Sequence, residues 1–116
     1  MPRHILDEQQ LHPTIRQQVA QDQQAIVDAV REAIAAYPIT VIGMAHNPYC
    51  RKARQVLEAA QRPYHYLEYG NYFSQWRARG ALKMWSGWPT FPMVFVNGVL
   101  MGGYTDLKRL IDSGTL

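Results

Sequence analysis

The sequence predicts an α/β protein with a four-stranded mixed sheet, helices on both faces of the sheet and a helical extension at the N-terminus. A helix-period segment comes first, and a strand, a helix and a second strand follow it. A strand, helix, strand order favours a parallel pair with a right-handed crossover. Further on, Asn97 and Gly98 separate two apolar runs, which is the strongest short-range signal for an antiparallel hairpin.

The composition is that of one globular domain. The chain has 116 residues, of which 47% are hydrophobic and 18% are charged. A chain of this length can bury roughly two-thirds of its unfolded surface. Its single cysteine, Cys50, excludes an intramolecular disulfide, a Cys-x-x-Cys pair and a multi-cysteine metal site formed by this chain alone. The four histidines lack ligand spacing, so we expect no metal site.

Charge and hydropathy narrow the expected partners. The net charge is +3, but the twelve Lys and Arg are scattered among nine acids, which is typical of a mildly basic surface rather than a nucleic-acid interface. No apolar stretch reaches the roughly 20 residues of a membrane span. The opening residues lack the apolar core of a secretory signal. We therefore expect a cytoplasmic protein without nucleic-acid or membrane partners.

A first helix is predicted from Pro13 to Ala36, and a polar segment over residues 1–12 precedes it. Its apolar residues fall near one face: Ile15, Val19, Ile26, Val30 and Ile34. One long helix or two shorter ones fit this spacing, and Pro38 ends the segment. The helix can pack on the rest of the chain or form the contact of a homodimer, and the sequence leaves both open.

A buried strand and a clear helix start come next. The run Ile39–Met44 is mostly apolar and rich in β-branched residues, as expected for a strand covered on both faces. Asn47 and Pro48 then signal a helix start, because Asn is a preferred N-cap and Pro suits the first helical position. We expect this helix to continue to about Ala60, with Pro63 at its exit.

The remaining elements complete the predicted sheet and its cover. They are a strand over Tyr64–Tyr69, a helix around Ser74–Trp85, two hairpin strands over Met93–Val96 and Val99–Met101, and a last helix through Ile111. Gly102 and Gly103 turn the chain into the last helix. Thr105 is predicted to cap this helix, and Gly114 to end it.

Two motifs resemble those of glutaredoxins, and most closely those of the monothiol branch. The first is Trp88-Pro89-Thr90-Phe91-Pro92, followed by Val96-Asn97-Gly98 and Gly102-Gly103. The second stands where glutaredoxins carry Cys-Pro-Tyr-Cys or Cys-Gly-Phe-Ser, and reads Asn47-Pro48-Tyr49-Cys50. The resemblance implies a thioredoxin-like fold over about residues 26–116, with residues 1–25 as an N-terminal arm and helical extension.

The resemblance allows two positions for the family's nucleophilic cysteine. If Asn47 takes that position, the family's helix and strand residues match Ala53, Leu57, Tyr64 and Tyr66. A shift by one helical turn would instead place Cys50 at the family spacing from Trp88. We favour Asn47, which keeps the helix cap but cannot ionise or attack a disulfide.

Cys50 lies at the place of the second, resolving cysteine of Cys-Pro-Tyr-Cys members. It can be a small buried apolar residue, because free cysteine is among the most buried residue types. It can also be an acidified thiol, since the first turn of a helix and the neighbouring Arg51 and Lys52 favour the thiolate. If the protein is an enzyme, the resemblance makes Cys50 the catalytic residue of a glutathione-dependent thiol-disulfide oxidoreductase.

The resemblance also implies where glutathione would lie. Thr90-Phe91-Pro92 resembles the family segment whose proline is cis, in which the residue before the proline offers its backbone N–H and C=O to glutathione. Tyr49 belongs to the same expected site. The family's lysine just after the first strand is missing here, which predicts weak affinity.

The two carboxylates of glutathione have separate expected positions. Gly103 and the amides of Tyr104 and Thr105 would take the γ-glutamyl carboxylate at the start of the last helix, with Asp106 beside them. Arg79 stands as far before the tryptophan motif as the family arginine that meets the glycine carboxylate, and an arginine fork suits a carboxylate.

Three functions follow from this reading of the sequence. The first is glutathione-linked thiol-disulfide chemistry on glutathione or a glutathionylated partner, with catalysis in doubt because of Asn47. The second is a non-catalytic module that binds glutathione or a partner. The third is a glutathione-bridged [2Fe–2S] carrier, which needs a cysteine thiolate at the helix start, so Asn47 counts strongly against it unless Cys50 substitutes.

Overall fold

The computed structural model describes residues 13–71 and 74–116, with side chains from residue 21 onward. The predicted polar segment over residues 1–12 lies outside the described residues. The elements, in chain order, are α1 (Pro13–Ala36), β1 (Ile39–Gly43), α2 (Pro48–Ala59), β2 (His65–Glu68), α3 (Trp76–Ser86), β3 (Met93–Val96), β4 (Val99–Gly102) and α4 (Tyr104–Asp112). This order agrees with the one predicted from the sequence.

The sheet has the strand order β2-β1-β3-β4. β1 runs parallel to β2, with Thr40 opposite His65, and β3 runs antiparallel to both β1 and β4. Asn97 and Gly98 connect β3 to β4 with φ values of 51° and 81°, as a tight hairpin turn requires. The predicted mixed sheet is confirmed. Because β3 is antiparallel to both neighbours, the end of β1, the start of β3 and the end of β4 meet at one end of the sheet.

Apolar side chains cover both faces of the sheet. All five residues of β1 are buried, which explains its continuous apolar run. One core contains Val30 from α1, Leu82 from α3 and strand residues such as Ile42. The other core joins strand residues to Ala53 and Leu57 of α2 and to Leu107 of α4.

α1 is one continuous helix, so the alternative of two shorter helices is wrong. Val30 is fully buried, and Ile26 and Ile34 pack partly buried against the same core. The boundary expected between residues 25 and 26 falls inside α1, and the division into an arm and a domain stays a prediction, as does a homodimer contact. No described helix, α1 included, is long and apolar enough to cross a membrane.

The start of α4 differs from the expected one. Gly103, not Thr105, is the N-cap residue, and Tyr104 is the first helical residue. The helix begins earlier because Gly102, with φ at 116°, turns the chain as only glycine does easily. The Asp106 carboxylate then accepts the Gly103 N–H at 3.1 Å. The predicted cap at Thr105 is therefore wrong.

Substituting Val30→Ala should lower the free energy of unfolding by about 2 kcal/mol, because two methyl groups leave a cavity in a core that cannot fully close. Chemical denaturation measures this loss. The control Val99→Ala removes the same atoms from a side chain that is 56% exposed, and should cost less than about 1 kcal/mol. Equal losses would contradict the packing of α1 on the sheet.

Candidate functional site

An open groove of about 480 Å³ lies at the end of the sheet where β1 ends, β3 begins and β4 ends. Three chain segments and one residue of α3 line it. They are the start of α2 with Met44, Asn47 and Tyr49, the segment Trp88–Pro92, the segment Gly103–Asp106, and Lys83. The topology of the sheet therefore gathers residues that are far apart in the sequence.

Most of the residues predicted to bind glutathione line this one groove. They are Tyr49, Thr90, Phe91, Pro92, Gly103, Tyr104, Thr105 and Asp106. Two predicted site residues, Cys50 and Arg79, do not line it. The Phe91–Pro92 peptide bond is cis, as the resemblance implied. The structure brings these groups together, and their role in binding stays a prediction.

Asn47 caps α2 at the edge of the groove. Its backbone is extended, with φ at −95°, and its Oδ1 accepts the N–H groups of Tyr49 at 2.9 Å and of Cys50 at 3.1 Å. Pro48 follows as the first helical residue, where its missing N–H costs nothing. Two amides at the helix start are thus used within the protein.

Cys50 points into the core instead of the groove. The residue is 1% exposed and packs in the same core cluster as Ile42. Burial is the main cause that raises the pKa of its thiol, and the Glu68 carboxylate adds to the rise. A backbone hydrogen bond at Met44 and the charge of Arg54 oppose the rise without reversing it. Of the two alternatives for Cys50, this placement agrees with the small buried residue and not with the acidified thiol, because burial raises its pKa.

The Cys50 side chain is also tightly enclosed. A Cβ atom placed on Gly43 would lie 3.0 Å from Cys50 Sγ and 2.6 Å from the Tyr66 hydroxyl oxygen. The Tyr66 hydroxyl has its pKa raised, chiefly by burial. A side chain in place of Gly43, at the end of β1, would therefore have to displace the Cys50 and Tyr66 side chains.

Arg79 holds a loop rather than facing the groove. It is 8% exposed, and its Nη1 donates to the carbonyl oxygens of Tyr69 and Ser74, which flank the segment before α3. The predicted contact with the glycine carboxylate does not agree with this placement. Arg79 has the family spacing before the tryptophan motif, but α3 turns its side chain inward toward backbone carbonyls.

Lys83 takes the place on the groove that was expected for Arg79. It lies one helical turn further along α3, lines the groove, and has its Nζ 5.7 Å from the centre of the Phe91 ring. The sequence reading missed it. Its spacing of four residues from Arg79 does not identify it, because residues i and i+4 lie near one helix face and yet only Lys83 lines the groove.

The start of α4 offers donors and an acceptor side by side. The N–H groups in the first turn of a helix have no acceptor within the helix, and Tyr104 and Thr105 occupy that turn. The Asp106 carboxylate, held by the Gly103 N–H, lines the same groove. Trp88 adds an indole Nε1 that is buried without a hydrogen-bond partner among the described residues. This combination suits a ligand with a carboxylate and an ammonium close together.

Aromatic rings and a lysine form the rim of the groove. The rings of Tyr49 and Tyr104 lie 6.3 Å apart, and Lys52 Nζ is 5.3 Å from the first ring centre and 5.9 Å from the second. A cation over two aromatic faces is attracted by both rings. The sequence analysis considered Lys52 as a neighbour of the thiol, whereas the structure places its ammonium near these two rings.

The residues present do not fit an iron–sulfur cluster. Such a cluster needs cysteine thiolates, and the only cysteine is enclosed in the core while Asn47 stands at the start of α2. Among the described residues, no three His, Cys, Asp or Glu side chains are grouped as a metal site. The expected absence of a metal site stays a prediction.

Comparison with known sequences assigns the family. A protein-family model described as Glutaredoxin matches residues 39–101. A glutaredoxin-like protein of Dictyostelium discoideum is 43% identical over 91 residues, which cover 78% of this chain and 74% of that protein. Glutaredoxin 3 of Danio rerio is 36% identical over 76 residues, which cover 64% of this chain and 23% of that longer protein. The chain belongs to the glutaredoxin family, as its motifs predicted.

Solved structures agree with this assignment. The crystal structure of oxidized glutaredoxin 2 from Chlamydomonas reinhardtii superposes with a TM-score of 0.70 at 27% identity, and the match covers 81% of this chain and 89% of that one. A buckwheat glutaredoxin–glutathione complex superposes with a TM-score of 0.71 at 19% identity, over 83% of this chain and 87% of that one, and shows the fold alone. The predicted thioredoxin-like fold is confirmed.

Native Cys50 should react with iodoacetamide about 100-fold or more slowly than in the urea-unfolded chain, because reaction requires the core to open. The rate of the native protein should keep increasing with pH even beyond the pH at which an ordinary thiol is fully ionised, because burial raises the pKa of Cys50. Mass spectrometry of the alkylated protein measures both rates.

The matched control is the double variant Asn47→Cys, Cys50→Ala, which places one thiol at the groove edge and should react quickly near neutral pH. Native Cys50 reacting as fast as this control would mean that the thiol is reachable, and would restore it as a candidate nucleophile.

Proposed function

We propose that the groove binds glutathione, either free or as the glutathione half of a mixed disulfide on a partner protein, with little or no exchange of that disulfide. The observation that carries the proposal is the pairing of an intact groove with Asn47, a residue without a thiol, at the start of α2. Membership of the glutaredoxin family supports the glutathione-linked redox setting. The buckwheat relative of the same fold was solved with glutathione.

The start of α4 is the proposed site for the γ-glutamyl end of glutathione. The free N–H groups of Tyr104 and Thr105 suit its carboxylate, and the positive end of the helix dipole adds to this attraction. Asp106 suits the neighbouring ammonium. The unpartnered indole N–H of Trp88 supplies a further donor on the groove wall.

Lys83 is the proposed site for the glycine carboxylate at the other end of the peptide. It is the lysine on the groove wall, and among the described residues it makes no ion pair that would compete for its charge. Between the two ends, the segment Thr90–Pro92, with its cis Phe91–Pro92 bond, lines the groove. In this placement the glutathione sulfur faces Asn47.

Asn47 is inferred to stand at the position of the family's nucleophilic cysteine. It is the N-cap of the helix after β1 and it lines the groove, whereas Cys50 does neither. An amide cannot attack a disulfide, because exchange requires a thiolate. Cys50 is a poor substitute, since its thiol is enclosed and its pKa is raised. Exchange through Cys50 would require the first turn of α2 to open.

Titration with glutathione should shift the amide NMR signals of Phe91, Tyr104 and Thr105 together. Lys83→Gln should weaken binding about fivefold, because one charge-assisted contact in a half-exposed site contributes about 1 kcal/mol. The control Arg77→Gln removes the same charge from an exposed residue of α3 that does not line the groove. It should weaken binding less than twofold, or about 0.4 kcal/mol, because interactions of exposed charges are weak.

Shifts confined to α1 would reject this binding site. Equal losses of glutathione affinity in Lys83→Gln and Arg77→Gln would show that Lys83 acts only through the net charge of the protein. This result would reject the proposed contact with the glycine carboxylate.

The parent protein should show little or no glutathione-dependent reduction of a small mixed disulfide, and Asn47→Cys should show a large gain. The new thiol would lie at the start of α2, where unpaired amides and the helix dipole lower its pKa below the roughly 8.5 of a free cysteine. The coupled disulfide reductase rate and the thiol pKa measure these effects.

The variant Asn47→Cys, Cys50→Ala separates a monothiol route from a Cys-Pro-Tyr-Cys pair. Robust turnover of the parent that survives Cys50→Ser would contradict the proposed loss of catalysis. An acidic thiol at position 47 without any gain in rate would mean that the glutathione contacts are absent as well.

A further inference from the structure

The hydrogen bonds that cap α2 fix the orientation of the Asn47 carboxamide. Its Oδ1 accepts the N–H groups of Tyr49 and Cys50, and only the oxygen of a carboxamide can accept. The nitrogen Nδ2, with two N–H donors, therefore lies on the side of the carboxamide away from these two backbone amides. It has no hydrogen-bond partner among the described residues, and Asn47 lines the groove.

Positive groups surround the groove at this end and further along it. Lys52 lies against the rings of Tyr49 and Tyr104 at the rim, and Lys83 lies on the wall. The carboxylate among the lining residues, Asp106, already accepts the Gly103 N–H. A ligand group that meets Asn47 therefore meets N–H donors and a positive potential.

We propose that the groove selects glutathione whose sulfur carries anionic oxygens, as in a sulfinate or a sulfonate, over glutathione with a thioether or disulfide sulfur. The inference rests on the proposed function, because the two ends of the peptide must hold its sulfur against Asn47. A thioether sulfur is a weak acceptor. Sulfonate oxygens are strong acceptors, and a hydrogen bond to a charged oxygen is roughly twice as strong as a neutral one.

The same substitution that removes a nucleophile thus creates a recognition element. A thiolate in place of Asn47 would repel an anionic sulfur group, whereas the carboxamide donates to it. No covalent step is involved, so the ligand would bind and leave unchanged.

Calorimetry with two ligands tests the inference on the full chain. Glutathione sulfonate carries the anionic oxygens, and S-methylglutathione carries a thioether and the same two peptide ends. The sulfonate should bind about tenfold more tightly to the parent protein, as expected when a charged acceptor meets an otherwise unused donor.

Two variants separate the amide contact from the general charge of the groove. Asn47→Asp keeps a good cap but replaces Nδ2 with a carboxylate oxygen, so S-methylglutathione should become the preferred ligand. Asn47→Ser keeps a neutral cap without the carboxamide donors, so the preference for the sulfonate should fall to about threefold or less, the share left to Lys52 and Lys83. Denaturation curves check that both variants fold.

The outcomes distinguish this inference from the proposed function. Binding of S-methylglutathione as tightly as the sulfonate by the parent would overturn the inference and leave the proposed function standing. Binding of neither ligand would overturn both. A sulfonate preference that is the same in the parent and in Asn47→Ser would assign the selectivity to the lysines and overturn the role of Asn47.

Discussion

The cap that Asn47 places on α2 is the interaction on which the site depends. By accepting two backbone N–H groups, its Oδ1 sets where the helix begins and contributes about 1 kcal/mol relative to alanine. The helix that follows carries Tyr49 to the groove and Cys50 into the core. The amides that would stabilise a thiolate in this position are occupied by a neutral oxygen. Structure and chemistry at the groove edge are therefore set by the same two hydrogen bonds.

The groove itself is a consequence of strand direction. Because β3 is antiparallel to β1 and β4, the start of β3 lies beside the ends of the other two strands. The cis segment at Pro92, the start of α2 and the start of α4 converge there. The result is a groove with backbone amides at the start of α4 and a lysine on the α3 side, and the proposed peptide site rests on these groups.

The two cores explain why the shape of the groove does not depend on a reactive side chain at position 47. The elements that form the groove are held by the two cores, which include Val30 of α1, Leu82 of α3 and Leu107 of α4. These three side chains are aliphatic and carry no reactive group. A change of chemistry at position 47 that preserves the cap therefore leaves the packing intact, which is what the proposed binding function without exchange requires.

The order of the elements, the mixed sheet, the helix cap at Asn47 and the family motifs could all be read from the sequence, because they depend on local signals: apolar period, Asn-Pro and Asn-Gly. The positions of Arg79, Lys83 and Cys50 could not, since spacing along a helix does not say which face the core covers. Packing of α2 and α3 on the sheet turned Cys50 and Arg79 inward and left Lys83 on the groove. Burial raises the pKa of the Cys50 thiol, because desolvation of the charged form exceeds the opposing effects of the Met44 backbone hydrogen bond and the Arg54 charge.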